Sequence, residues 1–367
     1  MKKLVVILLA LFMALTLTAC GKKEEGQQGG EAQYDPDPEW QWVGEIHPEV
    51  TGDLMVYSTM ADLEFSIFYE GFGHKYPNVN MEYVNAGAGE LKSRIEAESA
   101  NPQCDVMLGG LVYSDAINYA NLFEPYVSVN NSKMSEDAQN QTGVLTWITD
   151  QVVNLVVNTK VCEELGVEVK GYNDLLNPKL QGMINVAVPT TSSGWNNLCS
   201  MLTVMGNGDA SSDAAWEYVD KLMANLGGKL QSSSSKVFKE VFAGEKAVGV
   251  SYEFPCVTAE VEGVDPVKVV YFEEGTIHSL FADAIVKNAP HMELAKTFID
   301  WTISDECQGK LATSLQRQGN ANITNNPALK PYSEMKLYKL DNEYLAKNQP
   351  QILEHWNELW KKYESNN

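Results

Sequence analysis

Positive charge is scarce in this sequence. Its 27 Lys and Arg stand against 49 Asp and Glu, a formal net charge of −22 over 367 residues. That balance excludes electrostatic binding to nucleic acid or to anionic lipid, and any anion the chain holds must be held by local donors. Histidine is scarcer still. His47, His74, His278, His291 and His355 show neither an HExxH pattern nor a paired spacing, so no metal site is expected from them. The six cysteines (Cys20, Cys104, Cys162, Cys199, Cys256 and Cys307) are scattered and contain no CxxC, which is not a disulfide framework. Cys104 and Cys199 sit in apolar patterns and read as buried thiols. GxSxG, P-loop and GxGxxG motifs are also missing. Ser233-Ser-Ser-Lys236 matches the SxxK of serine acyl-transfer enzymes, but no KTG follows to complete such a site. Neither an enzyme nor a cofactor is expected.

Beyond the N-terminus no stretch is long and apolar enough to cross a membrane. The N-terminus itself has Lys2 and Lys3 before the apolar run Leu4 to Leu17, which is short for a span, and then Leu17-Thr-Ala-Cys20. Such an ending resembles a bacterial lipobox. Residues 1–19 are expected to be a signal peptide removed before Cys20, which then carries lipid. Residues 20–50 read as a tether, because residues 21–38 are rich in Gly, Gln, Glu and Pro and offer almost nothing apolar to bury. As a coil those residues would span roughly 20–25 Å.

From Asp53 onward, strand and helix patterns alternate. Asp53 to Ser58 reads as a strand, Phe65, Phe68 and Phe72 recur at helical spacing, Val79 to Val84 is a strand, Leu91 and Ile95 mark a helix, and Cys104 to Leu108 is a strand again. This βαβαβ order predicts a parallel sheet, whose ligands bind beyond the carboxyl ends of the strands. Those ends carry Ser58-Thr59, Asn85 to Gly89 and Gly109-Gly110, all small or hydroxylic as a cleft floor requires. A second αβ alternation runs from about Val152 to Phe272. Two lobes are therefore expected, residues 51–155 plus 267–315 and residues 156–266 plus 316–367, with a cleft between them.

The second alternation contains Asn185-Val-Ala-Val-Pro-Thr-Thr-Ser-Ser-Gly-Trp195, an apolar run that breaks at Pro189 and enters a helical pattern. Free N–H groups at that helix start, beside the hydroxyls of Thr191, Ser192 and Ser193, would suit an anion, with Gly194 allowing close approach to the backbone. Capping of the helix by a serine is the plainer reading of the same residues. The candidate ligand-binding residues are Ser58, Thr59 and Gly110 in one lobe, and Thr191, Ser192, Ser193, Gly194, Trp195, Ser234, Ser235, Tyr252 and Glu253 in the other. Trp195 could stack on a sugar ring or pack in the core. Glu253 could receive an ammonium group or sugar hydroxyls, or be solvated. Arg317 could reach an anion bidentately, although a surface arginine is the plainer reading.

The fragments LTAC, DLMVYSTMAD, GAGELKSRIEAESANPQCDVMLGG, YNDLLNPKLQGMINVAVPTTSSG and HMELAKTFIDWTISDECQGKLA, in this order and spacing, resemble the extracellular family-1 solute-binding proteins of ABC importers. The branch resembled is that of ferric-ion-binding proteins and their organophosphate-binding relatives. The resemblance implies a two-lobed α/β fold of the type II periplasmic-binding-protein kind, a monomer that clamps its ligand by hinge closure, and delivery to a permease and its ATPase at the outer face of the cell membrane. Ferric members carry a Tyr-Tyr pair where this chain has Phe254-Pro255, a histidine in the first loop where it has Tyr57 to Ala61, and carboxylates where it has Gly109-Gly110. A hard cation needs anionic oxygens, so the expected ligand is an organic phosphate, phosphonate or sugar phosphate. An iron importer component and a ligand-presenting sensor for a histidine kinase are the alternatives.

Overall fold

Amphipathic helices laid across apolar strands build the first part of the fold, in a computed structural model that describes residues 44–364. The expected signal peptide, Cys20 and the tether up to residue 43 lie outside the described residues. β1 (Thr51–Ser58), α1 (Asp62–Lys75), β2 (Asn78–Asn85), α2 (Ala88–Ala97) and β3 (Val106–Leu111) make two crossovers, and β1 pairs in parallel with both β2 and β3. α1 buries Phe65, Phe68 and Phe72 along one stripe. Its first turn carries Asp62 and Glu64 and its last His74 and Lys75, the arrangement the helix dipole favours. The chain continues through α3 (Tyr113–Asn118) to β4 (Thr146–Asn158), α4 (Thr159–Leu165), β5 (Ile184–Asn185), α5 (Ser192–Met205), α6 (Asp213–Asn225) and α7 (Ser234–Phe242). Then come β6 (Val248–Tyr252), α8 (Glu253–Val261), β7 (Val267–Val270), β8 (His278–Ile285), α9 (Met292–Thr302), α10 (Asp305–Thr313) and β9 (Arg317–Gln318), with α11 (Asn342–Lys347) and α12 (Gln349–Trp360) at the end.

The strands follow the order β2-β1-β3-β8-β4-β6-β5, with β7 and β9 also on β4. The sheet is mixed, where the alternation alone predicted a parallel one. β8 lies between β3 and β4 and pairs antiparallel with both. The apolar run Met183 to Val188 yields only the two-residue β5, parallel to β6. Val188 N–H turns away to the Gln231 carbonyl, and Pro189, with no N–H, ends the strand.

Apolar side chains gather in distinct clusters. One holds Leu54, Phe68, Phe72, Leu108, Ile148, Ala282, Phe298 and Trp301. A second holds Val153, Tyr172, Leu198, Leu202, Val248, Ile277, Phe281 and Trp356. A third, smaller one gathers Val156, Phe238, Phe254, Val267 and Leu329. β4 changes cluster between Ile148 and Val153, and β8 changes back between Ile277 and Ala282. These mid-strand points join the two lobes. Residues 267–277, which the sequence pattern grouped with the first lobe, pack with the second: β7 pairs with the C-terminal half of β4, and Phe272 stacks on Tyr172 at 3.8 Å between ring centroids.

Candidate functional site

Five helices begin at one cavity. It has a volume of about 420 Å³ and lies where the strands end. The residues that cap α1, α2, α5, α7 and α8 at their N-termini, namely Ala61, Gly87, Thr191, Ser233 and Tyr252, all line it. Each helix start leaves N–H groups without an intrahelical partner and carries the positive end of a macrodipole, about half a unit charge. Lys, Arg and His are absent from the cavity wall among the described residues. What positive character the cavity has comes from the helix N-termini, while Glu64 and Glu90 add carboxyl groups to its wall.

Hydroxyls supply the rest of the lining. Thr191 Oγ1 accepts from Gly194 N–H at 3.1 Å and so caps α5, which leaves the N–H groups of Ser192 and Ser193 at the helix start free of intrahelical bonds. Ser192 Oγ donates to the Gly110 carbonyl at 2.8 Å, a bond from one lobe to the other. Ser193 Oγ and Ser234 Oγ are hydrogen-bonded to each other, joining the starts of α5 and α7. Gly110 has φ +69°, and a Cβ there would come within 2.5 Å of Thr59 Oγ1, so only glycine lets Thr59 sit against the strand end. Thr59, Gly110, Thr191, Ser192, Ser193, Ser234, Ser235 and Tyr252 thus line one cavity.

Four other candidates sit elsewhere. Ser58 is fully buried beneath the floor, where its Oγ accepts from Met60 N–H. Gly194 is a packing residue. A Cβ on it would stand 2.1 Å from the Val188 carbonyl oxygen, and its N–H is already taken by Thr191. Trp195, one position on, faces a different cavity. Glu253 is 2% exposed and receives Arg317 through two guanidinium nitrogens and Tyr271 through its hydroxyl. Arg317 is therefore no surface arginine. It lies 4.5 Å over the ring of Tyr332, whose hydroxyl donates to Asp150, which also binds His278 Nδ1 at 2.8 Å.

Glu64, Thr149 and Gln151 line the cavity and were not singled out from the sequence. Thr149 and Gln151 alternate along β4, and that period-2 polarity was the available signal; the apolar run Val152 to Val157 obscured it. Thr149 Oγ1 is buried without a hydrogen-bond partner. Glu64 is 6% exposed in the first turn of α1. Burial pushes its carboxyl up to about 7, against the hydrogen bonds from Ala61 N–H and the Gln316 side chain, which favour the anion. A carboxyl raised on folding is more protonated in the native state, so its contribution to stability is greatest at and below the unfolded value of 4.5 and is lost as pH rises towards 7. Glu64→Gln is expected to remove that part of the pH dependence, so that the variant gains stability relative to the parent at pH 8 but not at pH 4.5. Urea midpoints at the two pH values would show it, and parallel curves would refute it.

Residues 107–348 match the family described as bacterial extracellular solute-binding protein. The chain belongs to that family. Members of this family are binding proteins, not enzymes; they take up a small solute outside the cytoplasm and deliver it to an ABC permease. This solute-binding protein is 27% identical over 318 residues to an uncharacterized protein of Haemophilus influenzae, a match covering 83% of this chain and 90% of the other. It is 23% identical over 243 residues to the putative 2-aminoethylphosphonate-binding periplasmic protein of Salmonella typhimurium, covering 65% and 68%. Among solved structures it superposes on the periplasmic binding protein AfuA of Actinobacillus pleuropneumoniae, determined with fructose-6-phosphate bound. The TM-score is 0.77 at 24% identity, over 85% of this chain and 99% of that one. Iron-bound HitA of Pseudomonas aeruginosa gives a TM-score of 0.70 at 20% identity, over 84% and 99%. The two-lobed α/β fold read from the sequence is the fold these structures share.

Proposed function

We propose that the cavity takes the anionic group of a small organic phosphate, phosphonate or sugar phosphate, closes on it by movement about the middles of β4 and β8, and releases it to an ABC permease. The reading is carried by five helix N-termini directed at one space that no cationic side chain enters. An anion there is stabilised by fixed N–H groups and hydroxyls that need no reorganisation. Thr59 and Gly110 would hold it from one lobe and Thr191, Ser192, Ser193, Ser234, Ser235 and Tyr252 from the other, so that closure follows from contacts made by both. In this reading the protein works as a monomer held to the outer face of the membrane by lipid on Cys20.

A ferric ligand is disfavoured by the donor set. Among the described residues no group of three or more His, Cys, Asp or Glu is placed to hold a metal ion, and Phe254 takes the place of a tyrosine ligand. Calorimetric titration of the purified protein with fructose 6-phosphate, 2-aminoethylphosphonate and ferric citrate tests the choice. Saturable binding of a phosphorus anion, with a Kd of about 10 µM or tighter, is the expected result. A visible tyrosinate charge-transfer band with ferric citrate, and no heat from either anion, would replace this function with iron capture.

A further inference from the structure

A second cavity, of about 530 Å³, lies beside the lobe junction, between α3 on one side, α5 on the other, and the C-terminal segment at 337–346. In the β4–β8 ribbon Thr149 pairs with Phe281, and both line the first cavity. Leu280 and His278, one and three positions from Phe281, line the second. Ser279 and Trp147 line the second cavity as well, so it borders both faces of the ribbon, and the two cavities share no lining residue.

The second cavity has unsatisfied polar groups inside it. Ser114, in α3, is 4% exposed, lines the space, and has no hydrogen-bond partner for its Oγ. Asn196, in α5, is also 4% exposed and lines the opposite wall, and no hydrogen bond holds its amide among the described residues. A buried hydroxyl left unpaired is costly, and a ligand's complementary group would recover that cost. Around these two groups stand the rings of Tyr113, Trp147, Trp195 and Tyr338. The charged groups at this cavity are otherwise engaged or peripheral: His278 is bound to Asp150, and Asp137 and Lys339 are exposed. The Asn118 amide donates to the Ala346 carbonyl at 3.2 Å and to Gln349 Oε1 at 2.9 Å, tying α3 to the C-terminal helices.

The geometry points to a second small-molecule site here, distinct from the anion cleft, for an uncharged ring compound that carries hydroxyls, of the nucleoside or aryl-glycoside type. Aromatic walls take the ring face. Ser114 and Asn196 take a donor and acceptor edge. The absence of a free charge in the interior excludes an ionic ligand on the same grounds that helix N-termini admit one in the cleft. Trp195 thereby acquires the ring-stacking role that the sequence suggested for it, in a different cavity from the one expected.

Uridine and 4-nitrophenyl-β-D-glucopyranoside are suitable probes. With full-length protein, at least one is expected to bind saturably with a Kd below about 1 mM. Hydrogen exchange in its presence should slow in three segments together: 112–118, 195–199 and 337–346. Ser114→Ala removes only the hydroxyl and should weaken binding about three- to tenfold, the value of one net hydrogen bond. Asn342→Trp, at an exposed position on the rim, should abolish binding. If that variant melts early, the Ser114→Ala titration decides alone. The inference is overturned if neither probe saturates at about 10 mM. It is equally overturned if protection is confined to 59–61 and 191–193, or if Ser114→Ala binds as tightly as the parent.

Discussion

Ser192→Asp is expected to lower affinity for a phosphate-bearing solute by at least about a hundredfold, or ~2.7 kcal/mol, while the melting temperature stays within a few degrees of the parent. Two opposed effects of one carboxylate produce this. At the first position of α5 a negative charge meets the positive end of the helix dipole, worth about 0.3–1 kcal/mol in favour of the fold. The same charge occupies the region where the ligand's anion would sit, and it faces the Gly110 carbonyl that Ser192 Oγ now contacts at 2.8 Å. It therefore repels both the ligand and the other lobe. Gly194→Asp, two residues on, is expected to behave in the reverse sense. Its Cβ would stand 2.1 Å from the Val188 carbonyl oxygen, so the turn into α5 must shift and the melting temperature should fall sharply. Ser193→Ala removes one hydrogen bond to a charged group and should cost on the order of 1.5–3 kcal/mol of binding. Calorimetry and thermal melts on all three variants separate binding from folding at this helix start. Parental affinity in a well-folded Ser192→Asp protein would sink the anion-anchor reading.

Arg317→Met is expected to destabilise the fold by about 3–5 kcal/mol, because it leaves Glu253 buried with its strongest partner removed. The carboxylate is 2% exposed and, apart from Arg317, is contacted by the Tyr271 hydroxyl. Removing both charges should cost much less than removing one. The double variant Glu253→Gln with Arg317→Met buries no ion and should recover a large part of the loss, giving a coupling between the sites of roughly 1–3 kcal/mol in a double-mutant cycle. Urea unfolding of the four proteins measures it. A single-variant loss below about 1 kcal/mol would mean that water reaches Glu253 and that the pair is no structural clamp. The location of this pair gives it reach. Arg317 is on β9, Glu253 opens α8, Tyr332 and Asp150 continue the contacts to β4, and His278 carries them to β8. Those last two strands are the ones that pass from one lobe to the other.

Local pattern was enough for most of the elements. Apolar residues at period 2 in β2 and at period 3.6 in α1 and α2 located those elements, while β1, buried along Leu54 to Ser58, shows as a contiguous apolar run. The hydroxyl and glycine residues at strand ends pointed to Thr59, Gly110, Thr191, Ser192 and Ser193, since a parallel αβ unit places its strand ends and helix starts together whatever its partners.

Tertiary structure decided what depends on residues far apart in the chain. Gly194 reads in sequence as a point of access for a ligand, yet the Val188 carbonyl six residues earlier fills that space, and only the turn geometry shows it. Glu253 and Arg317 are 64 residues apart, so their bidentate pairing has no local signature, and a carboxylate at a helix start looks the same whether it faces a ligand or an arginine. β8 lies antiparallel between β3 and β4, a pairing with no local signature because those strands come far earlier in the chain. Whether Trp195 faces the cleft or the second cavity turns on about one residue of helical rotation, some 100°, which the sequence leaves open until α3 and α11 pack against that side.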